Sequence, residues 1–218
     1  MENIDIENID KVLDEQESKI LNKKTLWEGI NKNKVEEITF KDGDEEIKEE
    51  FLNFGNVSSA LIYDTNLEKY IFIEQYRPTV NGKMVEVVSD KILDGEKPEE
   101  TIKRTILDKT GYKVDKIDHI SDFYISPSNS DEIMALFYIK VSEKISEPPK
   151  NIKVIEVNRF GMSGKLHFQD ELSDSKKELI PSYQLIDAKS IIAVNWIESN
   201  KVLKDMADII TDAKLRTF

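Results

Sequence analysis

The chain has 218 residues, a formal net charge of -12, 39% hydrophobic and 34% charged residues, and no cysteine. It is too apolar for a disordered chain and long enough for one medium domain with a small extension, while the lack of cysteine excludes disulfides, thiol catalysis and zinc-thiolate sites. Acidity disfavours nucleic acid as a partner, no apolar run reaches the roughly 20 residues of a membrane span, and the acidic start at Met1–Asp10 is not a secretory signal, so a soluble cytoplasmic protein is expected.

Residues 1–17 are strongly acidic, a frayed tail or a short helix. Residues 24–54 read as an antiparallel unit. Val35, Ile38 and Phe40 lead into Asp42-Gly43, a strong hairpin signal, and Ile47, Phe51, Leu52 and Phe54 follow it. Strands are predicted at 57–63, 70–76 and 84–88. Each is rich in β-branched or aromatic residues, and turn formers at Asp64-Thr65-Asn66 and Asn81-Gly82 separate them. Residues 98–109 are predicted helical, with Pro98 suited to the first turn and Gly111 just past the end. Further strands follow at 113–126, 132–141 and 152–160. The polar segment 161–184 is long for a plain loop. A closing helix is predicted from about Asp187 to Ile210, where Ile191, Val194, Trp196, Ile197, Leu203, Met206 and Ile209 recur at near-helical spacing. Strands, helix, strands and helix together describe an α+β layered fold.

The stretch from Asp90 to Tyr112 carries the chemistry. By pattern alone it is a polar loop, a short amphipathic helix and a glycine stop. Thr101, Thr105, Asp108 and Lys109 share one helix face, and Ile102 and Ile106 share another that can bury. His119 and His167 have no metal-ligand spacing, and Trp27 and Trp196 read as packing residues.

The same stretch resembles the Nudix box, a glycine, a glutamate, then an arginine followed by a glutamate-rich turn and a second glycine. Glu96, Arg104, Ile106, Gly111 and Tyr112 fall in frame without a gap. Glu74–Val80 is similar to the Q-Y-R-P segment of ADP-ribose pyrophosphatases of that family. Phe123–Glu132 is similar to their F-Y-x-S-P-G-x-S-D-E segment, and Asp187-Ala-Lys189 to their closing D-A-K. The resemblance implies an α+β Nudix fold, a mixed β-sheet sandwiched between helices with an N-terminal antiparallel β extension. It implies an extension at 1–54 used for dimerisation, a Nudix domain at 55–218, a homodimer, and ADP-ribose or another nucleoside diphosphate-linked small molecule as ligand.

In the family, glutamates of the box helix hold Mg²⁺ or Mn²⁺ against the substrate pyrophosphate, because hard cations take oxygen ligands and must neutralise the diphosphate. Here Thr105 stands at the first of these positions, Asp108 at the second and Lys109 at the third, and Asp90 replaces the opening glycine. A lysine ammonium about 4 Å from a divalent cation is opposed by about 8 kcal/mol at an effective dielectric of about 20. Glu96, Arg104 and Asp108 are therefore vestigial catalytic candidates, with Asp108 the one candidate metal ligand, and Glu96 and Arg104 are either catalytic relics or structural braces between loop and helix. Arg77, Glu86, Ser130, Asp131, Glu132 and Lys109 are the ligand-binding candidates. Arg77 and Glu86 either line the pocket or form an ion pair, and Ser130–Glu132 either bind ligand or shape a turn. The reading leans to lost or much reduced metal-dependent hydrolysis with a retained pocket. The alternatives are an active Mg-dependent pyrophosphatase with a rearranged metal site, and a dimeric scaffold or interaction protein.

Overall fold

The computed structural model describes residues 20–160, 166–167 and 184–200. The architecture is α+β, with a three-stranded antiparallel sheet at the N-terminus, a mixed seven-stranded sheet and two helices. Strands β1 (Ile20–Glu28), β2 (Lys34–Asp42) and β3 (Glu45–Asn53) form the first sheet in sequence order. The second contains β4 (Val57–Asp64), β5 (Lys69–Arg77), β6 (Gly82–Glu86), β7 (Val88–Lys91), β8 (Tyr112–Tyr124), β9 (Ile133–Lys144) and β10 (Ile152–Val157). Its main path runs β10-β5-β4-β9-β8, with β6 on β5 and β7 on β4. A short pair joins β11 (Arg159–Phe160) to β12 (Leu166–His167). Helix α1 is Pro98–Thr110, and α2 is helical over residues 188–200.

Most of the expected elements lie where the residue pattern puts them, including the β2–β3 hairpin. Its register pairs Asp42 with Glu45, so Gly43 and Asp44 make the turn, and Gly43 takes the positive φ of 64° that such a turn asks of its first residue. Two expectations change. The antiparallel unit expected from residue 24 begins earlier, with a strand over residues 20–28 that no alternation marks. Residues 84–88, expected as one strand, belong to two, because Val87 N–H donates to Ser190 Oγ at 2.9 Å instead of to the ladder. The expected helical stretch beyond residue 200, and nearly all of 161–184, lie outside the described residues.

The chain divides into two compact units. The first comprises residues 1–59, 89–102 and 121–136. In it, β3 is fastened to the 126–130 turn by Leu52 N–H to Asn129 O at 2.8 Å and by a parallel bridge from Leu52 to Ser130. Asn56 ties two segments together, accepting from Ile92 N–H on its carbonyl and from Ile133 N–H on its side chain. Ser58 Oγ donates to the carbonyl of Pro98 at the start of α1.

The second unit comprises residues 60–88, 103–120 and 137–218. Its core is apolar on both faces of β4 and β5, where Leu61, Ile62, Ile71, Phe72 and Ile73 are fully buried. Continuous apolar runs of this kind, rather than alternation, are what strands covered on both sides require. Ile106, Phe137, Ile139, Val157, Ala193 and Val194 complete it. Helix α1 ends at Gly111, whose φ of 80° is the left-handed conformation of a helix stop.

Candidate functional site

The register of β5 on β6 builds a polar cluster in the second unit. Ile73 pairs with Glu86, Gln75 with Met84 and Arg77 with Gly82. Side chains two residues apart share a sheet face, so Gln75, Arg77 and Glu86 emerge together. Glu86 is 1% exposed. Arg77 grips it with two parallel bonds, Nε to Oε1 at 2.7 Å and Nη2 to Oε2 at 2.9 Å. This fork geometry is the strongest carboxylate recognition a side chain offers. Gln75 Nε2 adds a bond to Oε1 at 2.9 Å, and Lys189 Nζ one to Oε2 at 2.6 Å.

Lys189 comes from the first turn of α2 and also donates to Asp187 Oδ1 at 2.8 Å. Asp187 is the N-cap of that helix, since the same oxygen accepts the Ser190 N–H at 3.1 Å. Burial alone would raise the Glu86 pKa, but bonds from Arg77 and the charge and bond of Lys189, with Gln75, outweigh it and hold the carboxyl at about 2. The cluster therefore joins β5, β6 and α2 through two anions and two cations. Arg77 remains 37% exposed on its side chain, so its outer side faces solvent.

Of the residues singled out from sequence, Arg77 and Glu86 are brought together here. The structure adds Gln75, Asp187 and Lys189, which are absent from the sequence-based candidates. The signal for two of them is present in Asp187-Ala-Lys189. Nothing local marks Lys189 as a partner of a residue 103 positions away.

Glu96 does another job. Its Oε2 accepts from Thr101 Oγ1 at 2.7 Å and from Leu93 N–H at 3.3 Å, fastening the turn before α1 to its first turn. Glu100 Oε2 accepts the Lys97 N–H at 3.1 Å, a capping-box bond at the same helix start. Farther along α1, Arg104 and Lys109 are half-exposed, Asp108 is exposed and Thr105 is completely buried.

The 126–132 segment shapes its own turn. Ser130 N–H donates to Ser126 O, and Ser130 Oγ accepts the Glu132 N–H at 3.0 Å. Asp131 lies 3.8 Å from Lys23 Nζ. Burial pushes its carboxyl above the usual range, Lys23 acts in the other direction and Glu36 adds to the rise. Lys23 also holds Glu36 Oε2 at 2.9 Å, where Asn53 Nδ2 donates as well. These contacts join β1, β2 and β3, and nothing in the residue pattern announces them.

A divalent cation is implied by the resemblance of the 90–112 stretch, and the donor set at positions 105, 108 and 109 does not fit one. Thr105 is sealed from solvent, Lys109 is cationic, and of these three positions only Asp108 offers a carboxylate. Among the described residues, no three acidic or histidine side chains come together as a metal would need.

No family model matches the chain. Curated relatives do. The chain is 26% identical over 189 residues to the methanol dehydrogenase activator of Bacillus methanolicus, spanning 86% of this chain and 96% of that protein. It is 27% identical over 145 residues to the ADP-ribose pyrophosphatase of Bacillus subtilis (strain 168), spanning 66% and 74%. It is 24% identical over 179 residues to the GDP-mannose pyrophosphatase of Escherichia coli (strain K12), spanning 77% and 86%. In three dimensions it matches the crystal structure of an ADP compounds hydrolase, with a TM-score of 0.55, 15% identity, and coverage of 65% and 78%. The chain is thus similar in sequence to ADP-ribose and GDP-mannose pyrophosphatases, and it shares a fold with a hydrolase of ADP compounds.

Proposed function

We propose that this is a Nudix-fold protein that binds a nucleoside diphosphate-linked small molecule such as ADP-ribose and has lost, or much reduced, metal-dependent hydrolysis. Relatives named for ADP-ribose and GDP-mannose hydrolysis support the ligand class. The state of helix α1 carries the loss of reaction: the position at which the family supplies a carboxylate is a fully buried threonine, and the last is a lysine. An active enzyme with a rearranged site would have to draw on Asp108, Glu96, Glu99 or Glu100, of which Glu96 and Glu100 already hold the helix start through hydrogen bonds. Arg77, whose outer side is open to solvent, is the ligand candidate that its setting supports, and Lys109, Ser130, Asp131 and Glu132 remain candidates on the resemblance. Titration calorimetry with ADP-ribose is expected to give saturable binding of equal affinity with Mg²⁺ and with a chelator. Rapid Mg²⁺-dependent release of AMP, abolished by Asp108→Asn, would instead establish the active enzyme.

The N-terminal sheet is the proposed homodimer contact. Every residue of β1 is exposed, and Ile20, Leu21, Leu26 and Trp27 are 41–58% exposed. Apolar side chains gathered on one strand mark a surface that gains from being covered. Light scattering should give twice the chain mass for the full protein and the single mass once residues 1–54 are deleted. A monomeric full-length chain would rule the dimer out. A second reading, a protein that acts on a partner rather than on a substrate, is favoured by the methanol dehydrogenase activator, which matches across 96% of its own length.

A further inference from the structure

Within the first unit a cleft of about 850 Å³ opens among β1, β2, the 53–56 connection and the 91–94 segment. Its lining carries the ammonium groups of Lys32, Lys34 and Lys91 against the carboxylates of Glu28 and Asp94, a local positive excess on a chain whose net charge is -12. The turn that presents two of these lysines is built by the backbone. Gly29 N–H donates to Asn33 O at 2.8 Å, and Lys32 takes a left-handed φ of 59°. Neither lysine is firmly neutralised. Lys32 and Asp94 meet at 3.1 Å with both side chains largely in water, and Lys34 stands 3.9 Å from its cross-strand neighbour Glu28.

Lys91 is different. It is half-buried, its stem lies against Gly55, where an added Cβ would fall 2.8 Å from Cε, and its Nζ donates to the neutral Asn33 Oδ1 at 3.1 Å. Among the described residues it has no carboxylate partner. A partly desolvated ammonium bound only to an amide oxygen keeps most of its unmet demand for an anion.

We propose that this cleft binds the phosphate or diphosphate group of a small molecule, with Lys91 as its anchor and Lys32 and Lys34 at its mouth. The ion pairs at the mouth are exposed and worth little, so an entering anion can displace them at small cost. The proposal uses no residue of the Glu86 cluster or of helix α1.

The probe is inorganic pyrophosphate, which has neither base nor sugar, titrated into the full chain by calorimetry in the presence of a chelator. One saturable site is expected. Lys91→Met keeps the stem on Gly55 and should weaken affinity at least about tenfold, the scale of one lost charge-assisted hydrogen bond. Lys34→Gln, which leaves that packing untouched, should weaken it about threefold. Lys69→Gln, whose lysine pairs with Glu156 on the other unit, should bind as the parent does. Absence of saturable binding overturns the proposal, as does a Lys91→Met protein, folded by circular dichroism, that binds like the parent. Equal losses in all three variants also overturn it, since that is general attraction to lysine. Pyrophosphate binding without ADP-ribose binding would leave this site standing and remove the nucleotide reading.

Discussion

Glu86→Gln is expected to cost about 3 kcal/mol of stability at neutral pH and to lower Tm by roughly 6–12 °C for a chain of this length. The variant keeps the shape and removes the charge, so Arg77 and Lys189 face one another across a neutral amide. The loss should depend on pH in a defined direction. The folded carboxyl titrates at about 2 against an ordinary 4.5, so the proton binds the unfolded chain more readily. A depressed pKa contributes stability that is fully present above about pH 4.5 and is lost as pH falls toward about 2, on the order of 3 kcal/mol in all. Urea melts of the two proteins should therefore differ most at neutral pH and converge in acid. A gap that is absent at neutral pH, or constant down to pH 2, would show that the ion cluster is not what joins α2 to β6.

Gly111→Ala is expected to be at least as damaging. The positive φ alone costs an L-residue about 1–2 kcal/mol. At this position the added Cβ would also fall on the Ser146 carbonyl, well inside contact distance, and that carbonyl is backbone that cannot swing away. The approach is fixed from both sides: Gly111 N–H bonds Leu107 O at 2.9 Å, and Gly111 O accepts from Ile145 N–H at 2.8 Å. Gly95→Ala supplies the reference. It has a similar φ of 82°, with nothing within 4 Å of the new carbon. Thermal melts should place Gly95→Ala within a few degrees of the parent. Gly111→Ala should fall by more than about 10 °C or fail to accumulate as folded protein. Similar melts for the two would mean that the segment after β9 yields easily.

How far the sequence discloses this molecule depends on where the information sits. Strands β4 and β5, helix α1 and the β2–β3 hairpin are local. Apolar runs, Pro98, Gly111 and Asp42-Gly43 announce them from within a few residues. Strand β1 is different. Its apolar residues, Ile20, Leu21, Leu26 and Trp27, neither alternate nor bury, so no periodicity marks it. The break between β6 and β7 is invisible for another reason. It depends on Val87 N–H finding Ser190 Oγ, a partner that only the folded chain brings near. The site divides in the same way. Arg77 and Glu86 could be named from short segments, and their pairing follows from one hairpin register. Gln75 follows from the same register and the Lys23–Glu36 pair from that of β1 on β2, whereas Lys189 depends on long-range docking that a linear reading gives only as an unrelated charge.

The complete burial of Thr105 limits what that position can hold. A glutamate placed at that position would bring two more heavy atoms and a charge into space that a small hydroxyl side chain fills. Ionising a carboxyl there without water costs several kcal/mol, against a total stability of about 5–15 kcal/mol for a typical domain. Thr105→Glu by itself should therefore weaken the fold before it offers a usable carboxylate. Neighbouring volume and the charge at Lys109 would have to change first. Position 105 thus suits a small neutral side chain, and a carboxylate there has to bring its own space and counter-charge.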